Sequence, residues 1–529
     1  MVAAPNLMST FPDHDRLTPL TGFGRTVRST SYLYRPTHVE QIAELFREAA
    51  ARGLTIAPRG AGRSYGDAAL NAGQIVLDLQ RLNRILAWNP ATGVITVEPG
   101  VTIEQLWKYT IEDGWWPAVV PGTMFPTLGG CLGMNIHGKN NYHTGPIGEH
   151  VLAFEALLPT GELIRCTPSE RPDLFYSLIS SAGLLGVFTS ITLQLKRIYS
   201  GDLAVEAWAA PSLNDMLADI DRCREEDYIV GWVDGTQPGA GLGRGQIHQA
   251  RYLAPGEDAH PAHSLSLDYQ ILGDTLFGLV PKSIIHRFMP LGLNRLGMIF
   301  ANFGKYLMSR TLSHHHPYRQ GLVAFNFLLD YVPRWQYGYT HGLIQYQTFI
   351  PFAHAAEVYR AQLAEAQRRG FATFVNVLKR HRPDQFLFSH AVDGYSLAID
   401  FKVPGSRSSR AELYAMTQRL NEIALEAGGR FYFAKDSTLT PAAAARYLGP
   451  ATLERFAALK ARCDPAGLLQ TELYRRVLVP ALNGATAPAA ASASAPAPTA
   501  SPLTPTPERV VVPAGAPLPA APTGNGQGH

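Results

Sequence analysis

The apolar and polar positions in the first part of the chain follow two periods, one typical of short helices and the other of short strands. Apolar residues recur at helical spacing over residues 37–53 and 101–113. β-branched and alternating runs predict strands over residues 54–58, 74–79, 93–97, 151–158 and 187–195. Because these elements follow one another without a regular alternation, the pattern predicts an α+β fold rather than a doubly wound sheet.

The pattern changes near residue 196 and changes back near residue 430. Between these points, strand-like runs over 343–350 and 395–403 and a helical run over 354–369 predict a domain built on an antiparallel sheet. A further helical run over 451–462 belongs to the returning segment. Since 529 residues exceed one ordinary core, we predict two domains, the first of them interrupted by the second. The predicted ranges are 1–24 for an N-terminal extension, 25–195 and 430–481 for the first domain, 196–429 for the second, and 482–529 for a disordered tail rich in Ala and Pro.

The charge and the cysteine content of the chain argue against several classes of function. The net charge is +3, from 46 Lys and Arg against 43 Asp and Glu, which gives no sign of nucleic-acid binding. The four cysteines have no C-x-x-C spacing, so we predict neither a metal site nor a disulfide framework. We find no signal-peptide pattern and no long uncharged apolar run. These observations predict a cytoplasmic or peripherally membrane-associated protein.

Two glycine-rich stretches, over residues 58–67 and 121–149, carry the clearest functional signal. Glycine lets backbone N–H groups approach a ligand closely, and successive free N–H groups bind anions. The first stretch matches neither a dinucleotide-binding Rossmann fingerprint nor a phosphate-binding P-loop, and a plain glycine-rich connection stays open as its alternative. In the second stretch, His137 and Lys139 lie two apart, so that on an extended segment they face the same side. Together the stretches predict a large anionic cofactor with a substrate beside it.

Residues 275–329 contain basic and apolar residues but no Asp or Glu. Such a composition suits a surface that meets anionic lipid or a lipid phosphate. The alternative is a helix that simply packs on its own domain, because charge clustering alone is a weak signal. Both interpretations stay open at this point.

The chain resembles the vanillyl-alcohol oxidase superfamily of FAD-dependent oxidoreductases, whose FAD-binding domains are of the PCMH type. The resemblance extends over about residues 25–480 and rests on motifs that occur in the same order. They are PRGAGRSYGD, TLGGCLGMNIHGKNNYHTGPIGEHV, GLLGVFTSITL, IQYQTFIP, FVNVLK, FYFAKDS and CDPAGLL. The resemblance implies an FAD-binding domain of two α+β subdomains and a substrate (cap) domain on an antiparallel sheet.

The resemblance also implies which residues line the FAD and the substrate. FAD is expected to be bound without a covalent link, since the first loop has Arg63-Ser64-Tyr65 where covalent relatives often have a histidine. The residues expected at the substrate are Tyr65, Lys139, Gln345, Gln347 and Lys379. The residues expected at the cofactor are Pro58, Arg59, Gly60, Ala61, Gly62, Arg63, Ser64, Tyr65, Gly66, Asp67, Gly122, Thr127, Leu128, Gly129, Gly130, Met134, Asn135, Ile136, His137, Phe188 and Tyr432.

The expected reaction is oxidation of a secondary sugar hydroxyl by hydride transfer to flavin. By resemblance, the substrate is a polyprenyl-phosphate ribose, oxidised at its 2-hydroxyl as the first half of an epimerisation that supplies cell-wall arabinan, and a short-chain reductase completes it. Lys435 is our first candidate to orient or deprotonate that hydroxyl, and His137 is the alternative base. The competing interpretations are an aldonolactone or alditol oxidase, a flavin-dependent sterol C=C reductase, and a flavoprotein scaffold without activity.

Overall fold

The computed structural model describes residues 11–276, 280–312 and 314–486. The described residues form three main β-sheets with helices packed against them, which confirms a mixed helix-and-sheet fold. None of the described helices combines the length and the apolar character needed to span a lipid bilayer.

The first sheet is a parallel set of strands with one antiparallel strand at its edge. β2 and β3 run parallel to β4, and β1 runs antiparallel to β2, in the order β1-β2-β4-β3. The N-terminal residues 17–21, which the sequence pattern left in an extension, are therefore a strand of this sheet. The strands are β1 (Leu17–Thr21), β2 (Arg28–Tyr34), β3 (Ile56–Arg59) and β4 (Ile75–Asp78).

The second sheet is antiparallel, with the strand order β5-β6-β10-β8-β9. A short two-stranded pair is formed by β7, which lies between β6 and β8 in the sequence, and β11, which follows β10. These strands are β5 (Ile85–Asn89), β6 (Val94–Val97), β7 (Trp115–Trp116), β8 (Val151–Leu157), β9 (Leu163–Cys166), β10 (Val187–Gln194) and β11 (Lys196–Arg197).

The third sheet is an eight-stranded antiparallel sheet in the order β17-β12-β14-β13-β19-β20-β18-β21. A further two-stranded pair is formed by β15 and β16. These strands are β12 (Asp202–Ala210), β13 (Tyr228–Val233), β14 (Gly245–Tyr252), β15 (Thr275–Leu276), β16 (Val280–Pro281), β17 (Tyr318–Gly321), β18 (Leu343–Pro351), β19 (Thr373–His381), β20 (Gly394–Lys402) and β21 (Arg430–Phe431).

The helices are mostly short. The α-helices are α1 (Val39–Ala51), α2 (Ile103–Thr110), α3 (Leu128–Gly133), α4 (Asn141–Thr144), α5 (Pro172–Leu178), α6 (Leu213–Arg222), α7 (Pro261–Ser264), α8 (Leu267–Gln270), α9 (Lys282–Gly292), α10 (Arg295–Thr311), α11 (Leu322–Asn326), α12 (Ala355–Arg368), α13 (Arg407–Glu426), α14 (Pro441–Cys463) and α15 (Val479–Thr486). Single helical turns occur at His14–Arg16, Leu79–Arg81, Ile147–His150, Gly239–Gly241, Leu328–Tyr331, Trp335–Gly338 and Phe352–His354, and a π-helical turn at Tyr474–Leu478.

Every helix and strand predicted from the sequence pattern has a counterpart with slightly different ends. The helix predicted over 451–462 is the second half of α14, which is kinked at Gly449 (φ 76°). Helix α15 continues to Thr486, so the first residues of the predicted tail are helical. The rest of that tail, residues 487–529, lies outside the described residues.

The chain returns to the first sheet after the third sheet is complete. The Ile56 N–H donates to the Leu468 carbonyl at 2.8 Å, and the Gln470 N–H donates to the Ile56 carbonyl at 2.9 Å. Leu468 and Leu469 pack into the same apolar cluster as the buried face of α1. Residues 468–470 therefore complete the edge of the sheet from which the first glycine-rich loop leaves. The division of the chain into an FAD domain and a substrate domain stays a prediction.

Candidate active site

A cavity of about 310 Å³ is lined by residues of all three main sheets and of both glycine-rich stretches. Among the described residues that line it there are many basic side chains and no carboxylate. Such an excess of positive charge favours an anionic ligand. The Lys and Arg side chains that line the cavity are Arg59, Arg63, Lys139, Lys305, Lys379 and Lys435.

The first glycine-rich loop presents free backbone donors to this cavity. The N–H groups of residues 61–64 donate to no acceptor in the part of the chain that the structure describes, and these residues line the cavity. At Gly60, a Cβ atom would lie 2.0 Å from Thr127 Oγ1, so a larger residue would push the two loops apart. Successive free N–H groups form an anion-binding nest. The loop therefore fits the diphosphate of FAD.

The two arginines of the loop are already engaged by the protein. Arg59 donates to the Ala69 carbonyl at 3.1 Å and to the Thr21 carbonyl at 3.0 Å, so it ties the loop to β1. The Arg63 guanidinium lies 5.3 Å from the ring of Phe23 and 4.9 Å from that of Phe125. Burial lowers the pKa of both arginines from the ordinary value. The backbone amides of the loop are left free for the cofactor, and Arg63, unlike Arg59, donates no hydrogen bond to a described residue.

Lys435 is held beside the first loop by backbone contacts. The Tyr65 N–H donates to the Ala434 carbonyl at 2.8 Å. A Cβ at Gly66 would lie 1.9 Å from the Asp436 carbonyl oxygen, so glycine permits this close packing. Lys435 Nζ lies 4.1 Å from the centre of the Tyr65 ring and donates no hydrogen bond to a described residue. The loop and the returning segment thus fix one uncommitted amine in the cavity.

One arginine, Arg476, links the first glycine-rich loop to the returning segment through hydrogen bonds to both. Arg476 donates to both carboxylate oxygens of Asp67, at 2.7 and 2.9 Å, and to Asp436 Oδ2 at 2.7 Å. Asp67, which was expected at the cofactor, therefore serves to join the first loop to the returning segment.

His137 lies at the centre of a cluster of rings. The centres of the His381, His390 and Tyr432 rings lie 4.9, 5.4 and 5.5 Å from that of His137. Its Nδ1 is 3.4 Å from Lys379 Nζ, and its Nε2 is 3.3 Å from Gln347 Nε2. Burial, together with the neighbouring cations, lowers the pKa of His137 well below its ordinary value. His137 is therefore a neutral ring with a polar side chain close to each of its nitrogens.

Gln345 and Gln347 both face the cavity from β18, as their spacing predicts. Gln345 pairs in register with Asp400 of β20 and donates to Asp400 Oδ1 at 2.7 Å. Asp400 is fully buried, and its Oδ2 has no hydrogen-bond partner among the described residues. Burial raises the pKa of Asp400 and lowers that of Lys435, and each charge partly offsets the shift of the other.

Three lysines line another part of the cavity. Lys139 donates to the Phe325 carbonyl, while Lys305 Nζ lies 3.8 Å from the centre of the Trp232 ring. Burial lowers the pKa of Lys139 to about 7, with further lowering by Lys379 and Lys305. Burial likewise lowers the pKa of Lys305 and that of Lys379 to about 8. With no carboxylate among the described lining residues, these amines can be neutralised only by an anionic ligand or by loss of their protons.

Most residues expected from the sequence line this one cavity, including every expected catalytic and substrate residue. Four expected cofactor residues do not line it. Asn135 Oδ1 instead accepts the Gly148 N–H at 3.0 Å, and Leu128 is fully buried in the core. The other two are Gly66 and Asp67, which pack against the returning segment.

Among the residues of the site that the sequence analysis did not identify, Asp400 and Lys305 matter most for the chemistry. Asp400 stands two positions after Ala398 on β20, so both point to one face, but only the pairing with β18 reveals its contact with Gln345. Lys305 was one of several basic residues in the stretch 275–329, and nothing in its neighbourhood distinguishes it from the others. Its place in the cavity follows from how α10 packs on the third sheet.

Comparison with known proteins identifies the cofactor. A family model described as an FAD binding domain matches residues 30–167. The chain is 29% identical over 469 residues to decaprenylphosphoryl-beta-D-ribose oxidase of Mycolicibacterium smegmatis, which is 87% of this chain and 97% of that protein. It is 28% identical over 396 residues to an uncharacterised protein of Streptomyces coelicolor, covering 71% of this chain and all of that protein. It is 26% identical over 174 residues to D-arabinono-1,4-lactone oxidase of Yarrowia lipolytica, covering 32% of this chain and 33% of that enzyme.

The matched FAD-binding region includes the loop whose free amides fit a diphosphate. FAD is therefore the cofactor, and most residues expected to bind it line the same cavity as an uncommitted lysine and a cluster of further lysines. This chain is an FAD-dependent oxidoreductase whose residues 30–167 match an FAD-binding domain.

Proposed function

We propose that this enzyme oxidises the 2-hydroxyl of a ribose carried on a polyprenyl phosphate, as the first half of an epimerisation. The similarity to decaprenylphosphoryl-beta-D-ribose oxidase over 87% of the chain supports this substrate. The observation that carries the proposal is the cavity itself, which combines the uncommitted amine of Lys435 with three further lysines and lacks a carboxylate among its described lining residues. Such a substrate requires a proton acceptor at its hydroxyl and a cationic site for its phosphate.

Oxidation of a secondary alcohol releases the hydroxyl proton and transfers the hydrogen on carbon with two electrons. When bound, FAD supplies the acceptor for those electrons. Lys435 Nζ takes the hydroxyl proton, since it has no hydrogen-bond partner among the described residues and burial lowers its pKa. A solvent-exposed lysine would be protonated at neutral pH and could not do so.

His137 is the weaker candidate for the base. Lys379 and Gln347 already lie at its two ring nitrogens, and burial among cations disfavours a further proton on the ring. We assign His137 to position these two side chains, which face the sugar. Tyr65 and Gln345 complete the polar surface around the hydroxyl that reacts.

Lys139, Lys305 and Lys379 are proposed to bind the phosphate. Hydrogen bonds between ammonium and phosphate groups are charge-assisted and strengthen where water is excluded. The monoanionic phosphodiester of such a substrate would also relieve the mutual repulsion of these lysines, which lowers the pKa of Lys139. A neutral sugar lactone or alditol would leave the repulsion in place. The lysine cluster therefore favours a phosphate-bearing substrate over that of the arabinonolactone oxidases.

The oxidised sugar must be reduced from its other face to give the epimer. The proposed function therefore requires a second enzyme, for which we propose a short-chain reductase. That reductase would transfer a hydride to the carbonyl carbon that this enzyme produces, and the carbonyl oxygen would take up a proton.

Replacing Asp400 tests Lys435 as the proposed base, because it should change the pH dependence of flavin reduction. Its carboxylate raises the pKa of Lys435, so Asp400→Asn is expected to lower that pKa further. Since only neutral Lys435 accepts a proton, the rate of flavin reduction rises with pH and levels off above the pKa of Lys435. The midpoint of the profile, measured from about pH 5 to 9 by anaerobic stopped-flow, should move to lower pH in the variant. A profile that stays in place or moves to higher pH would contradict Lys435 as the titrating base.

The substrate class is tested by anaerobic bleaching of the bound flavin. We expect a short prenyl-phosphoryl ribose to bleach it, and a methyl riboside without phosphate to do so far more weakly. Faster bleaching by D-arabinono-1,4-lactone or an alditol would assign the enzyme to the lactone or alditol oxidases. Bleaching by NADPH, with reoxidation by a sterol, would assign it to the C=C reductases. A yellow protein that none of these compounds bleaches would refute the proposed function.

A further inference from the structure

Helix α10 exposes an apolar face to solvent. Leu296, Phe300, Phe303 and Leu307 are spaced by four, three and four residues, which places them along one stripe of the helix. Their side chains are 45% to 74% exposed. Soluble proteins rarely leave such a continuous apolar surface uncovered, and those that do commonly use it for binding.

The opposite face of α10 packs inward and carries polar side chains together with the buried Met298. Asn302 is buried, donates to Asp234 Oδ1 at 3.0 Å and accepts from the Trp232 indole N–H at 3.2 Å. Ser309, also buried, and Lys305, which faces the cavity, lie on the same side. The helix is thus turned the opposite way from an ordinary amphipathic helix of a soluble protein, with specific hydrogen bonds holding it in this orientation.

Helix α9 continues the apolar surface. Ile284, Phe288 and Leu291 are spaced by four and three residues and are 36% to 77% exposed. Two neighbouring helices therefore present the same kind of stripe. We call the exposed side chains of 284, 288, 291, 296, 300, 303 and 307 the α9–α10 face.

The charged side chains beside the α9–α10 face are all positive. Arg287, Arg295 and Arg310 are exposed and form no ion pair with any described residue. No Asp or Glu occurs in residues 275–329. Exposed apolar side chains flanked by unpaired arginines are the pattern of helices that lie in the interface of an anionic bilayer.

We propose that the α9–α10 face docks the enzyme on an anionic membrane surface. A second copy of the chain is a poorer occupant, because a symmetric contact would bring the same unpaired arginines together. A protein partner would need acidic groups and hydrogen-bonding partners at its rim, whereas the apolar stripe offers few polar groups to meet them. Lipid head groups supply the negative charge, and acyl chains accept the apolar side chains.

The position of α10 gives this docking a consequence that rests on the proposed function. Lys305, on the inner side of the helix, lines the cavity, while Phe300 and Leu307 lie on the outer side. A helix with its side chains is about 10–12 Å across. Docking would therefore bring the phosphate-binding lysines within about one helix diameter of the lipid head groups. A lipid-linked sugar phosphate could enter the cavity while its chain remains in the membrane.

Vesicle binding by the full-length, FAD-loaded protein tests the proposal without any substrate. We expect it to float with vesicles of phosphatidylcholine containing phosphatidylglycerol and to bind pure phosphatidylcholine at least about tenfold more weakly. The variant Leu296→Ser/Leu307→Ser should lose about tenfold or more of this binding. Its matched control, Leu86→Ser/Leu163→Ser, changes two equally apolar and similarly exposed leucines elsewhere and should bind as the unaltered protein does.

A second set of variants tests the contribution of the arginines to vesicle binding. Arg287→Glu/Arg310→Glu should weaken binding to anionic vesicles by at least about tenfold, while Arg47→Glu/Arg81→Glu, at other exposed positions, should weaken it less. Flavin absorbance and thermal melting report whether each variant folds. Failure to bind anionic vesicles, or equal losses in the two leucine pairs, would overturn the proposal. Concentration-dependent dimerisation that disappears in Leu296→Ser/Leu307→Ser would instead assign the face to a second copy. None of these outcomes depends on the substrate.

Discussion

Replacement of Lys435 by alanine is expected to slow reduction of the bound flavin by substrate about 10³-fold while the protein stays yellow. The reason is that Lys435 provides an uncommitted amine beside Tyr65, at the junction of the first glycine-rich loop and the returning segment, and burial lowers its pKa. FAD should stay bound because the free amides of residues 61–64 are untouched. Anaerobic single-turnover bleaching measures the effect directly.

Lys435→Arg separates a base from a fixed positive charge. Arginine keeps the charge but does not lose its proton in proteins. If Lys435 accepts the hydroxyl proton, the arginine variant should be nearly as slow as the alanine variant. Recovery of most of the rate by arginine would show that only the charge matters. A rate for Lys435→Ala within about tenfold of the original would remove this residue from the chemistry.

Lys305→Met is expected to raise KM for a short prenyl-phosphoryl ribose about 10- to 100-fold with little change in kcat. The loss corresponds to one charge-assisted hydrogen bond of about 1.5–3 kcal/mol. In the proposed function Lys305 binds the phosphate, and it is not among the charges that shift the pKa of Lys435, so the chemical step should be preserved. A methyl riboside without phosphate should show the same KM with both proteins. Steady-state kinetics with the two substrates supplies the comparison.

The matched control for Lys305 is Arg310→Met, a change at an exposed basic residue of the same helix. This variant should bind the soluble substrate as before, because Arg310 does not line the cavity. If Lys305→Met changes KM equally for the prenyl-phosphoryl ribose and the methyl riboside, Lys305 shapes the cavity and does not contact the phosphate. If it lowers kcat and leaves KM unchanged, the assignment to phosphate binding is wrong.

The sequence allowed much of the fold and most of the cavity to be predicted. Strand and helix periods located β3, β6, β8, β10, β18, β20, α1, α2 and α12 within a few residues. The glycine-rich stretches and the motif around Lys435 indicate an FAD site, and almost all of the residues expected at the cofactor line one cavity. Four of them do not, and for two of these, Gly66 and Asp67, the partners Asp436 and Arg476 lie hundreds of residues away in the chain.

Amino-acid order by itself determined the local features of this protein. The side-chain period of a strand or helix and the conformational freedom of glycine are properties of a few neighbouring residues, so they can be read without the fold. Tertiary structure decided which of these elements face one another. It set Asp400 beside Gln345 across two strands, and it turned the apolar stripe of α10 outward through the bonds of Asn302 to Asp234 and Trp232. An apolar stripe at helical spacing ordinarily predicts a buried face. Its exposure here depends on hydrogen bonds to residues about 70 positions away, which no local pattern contains.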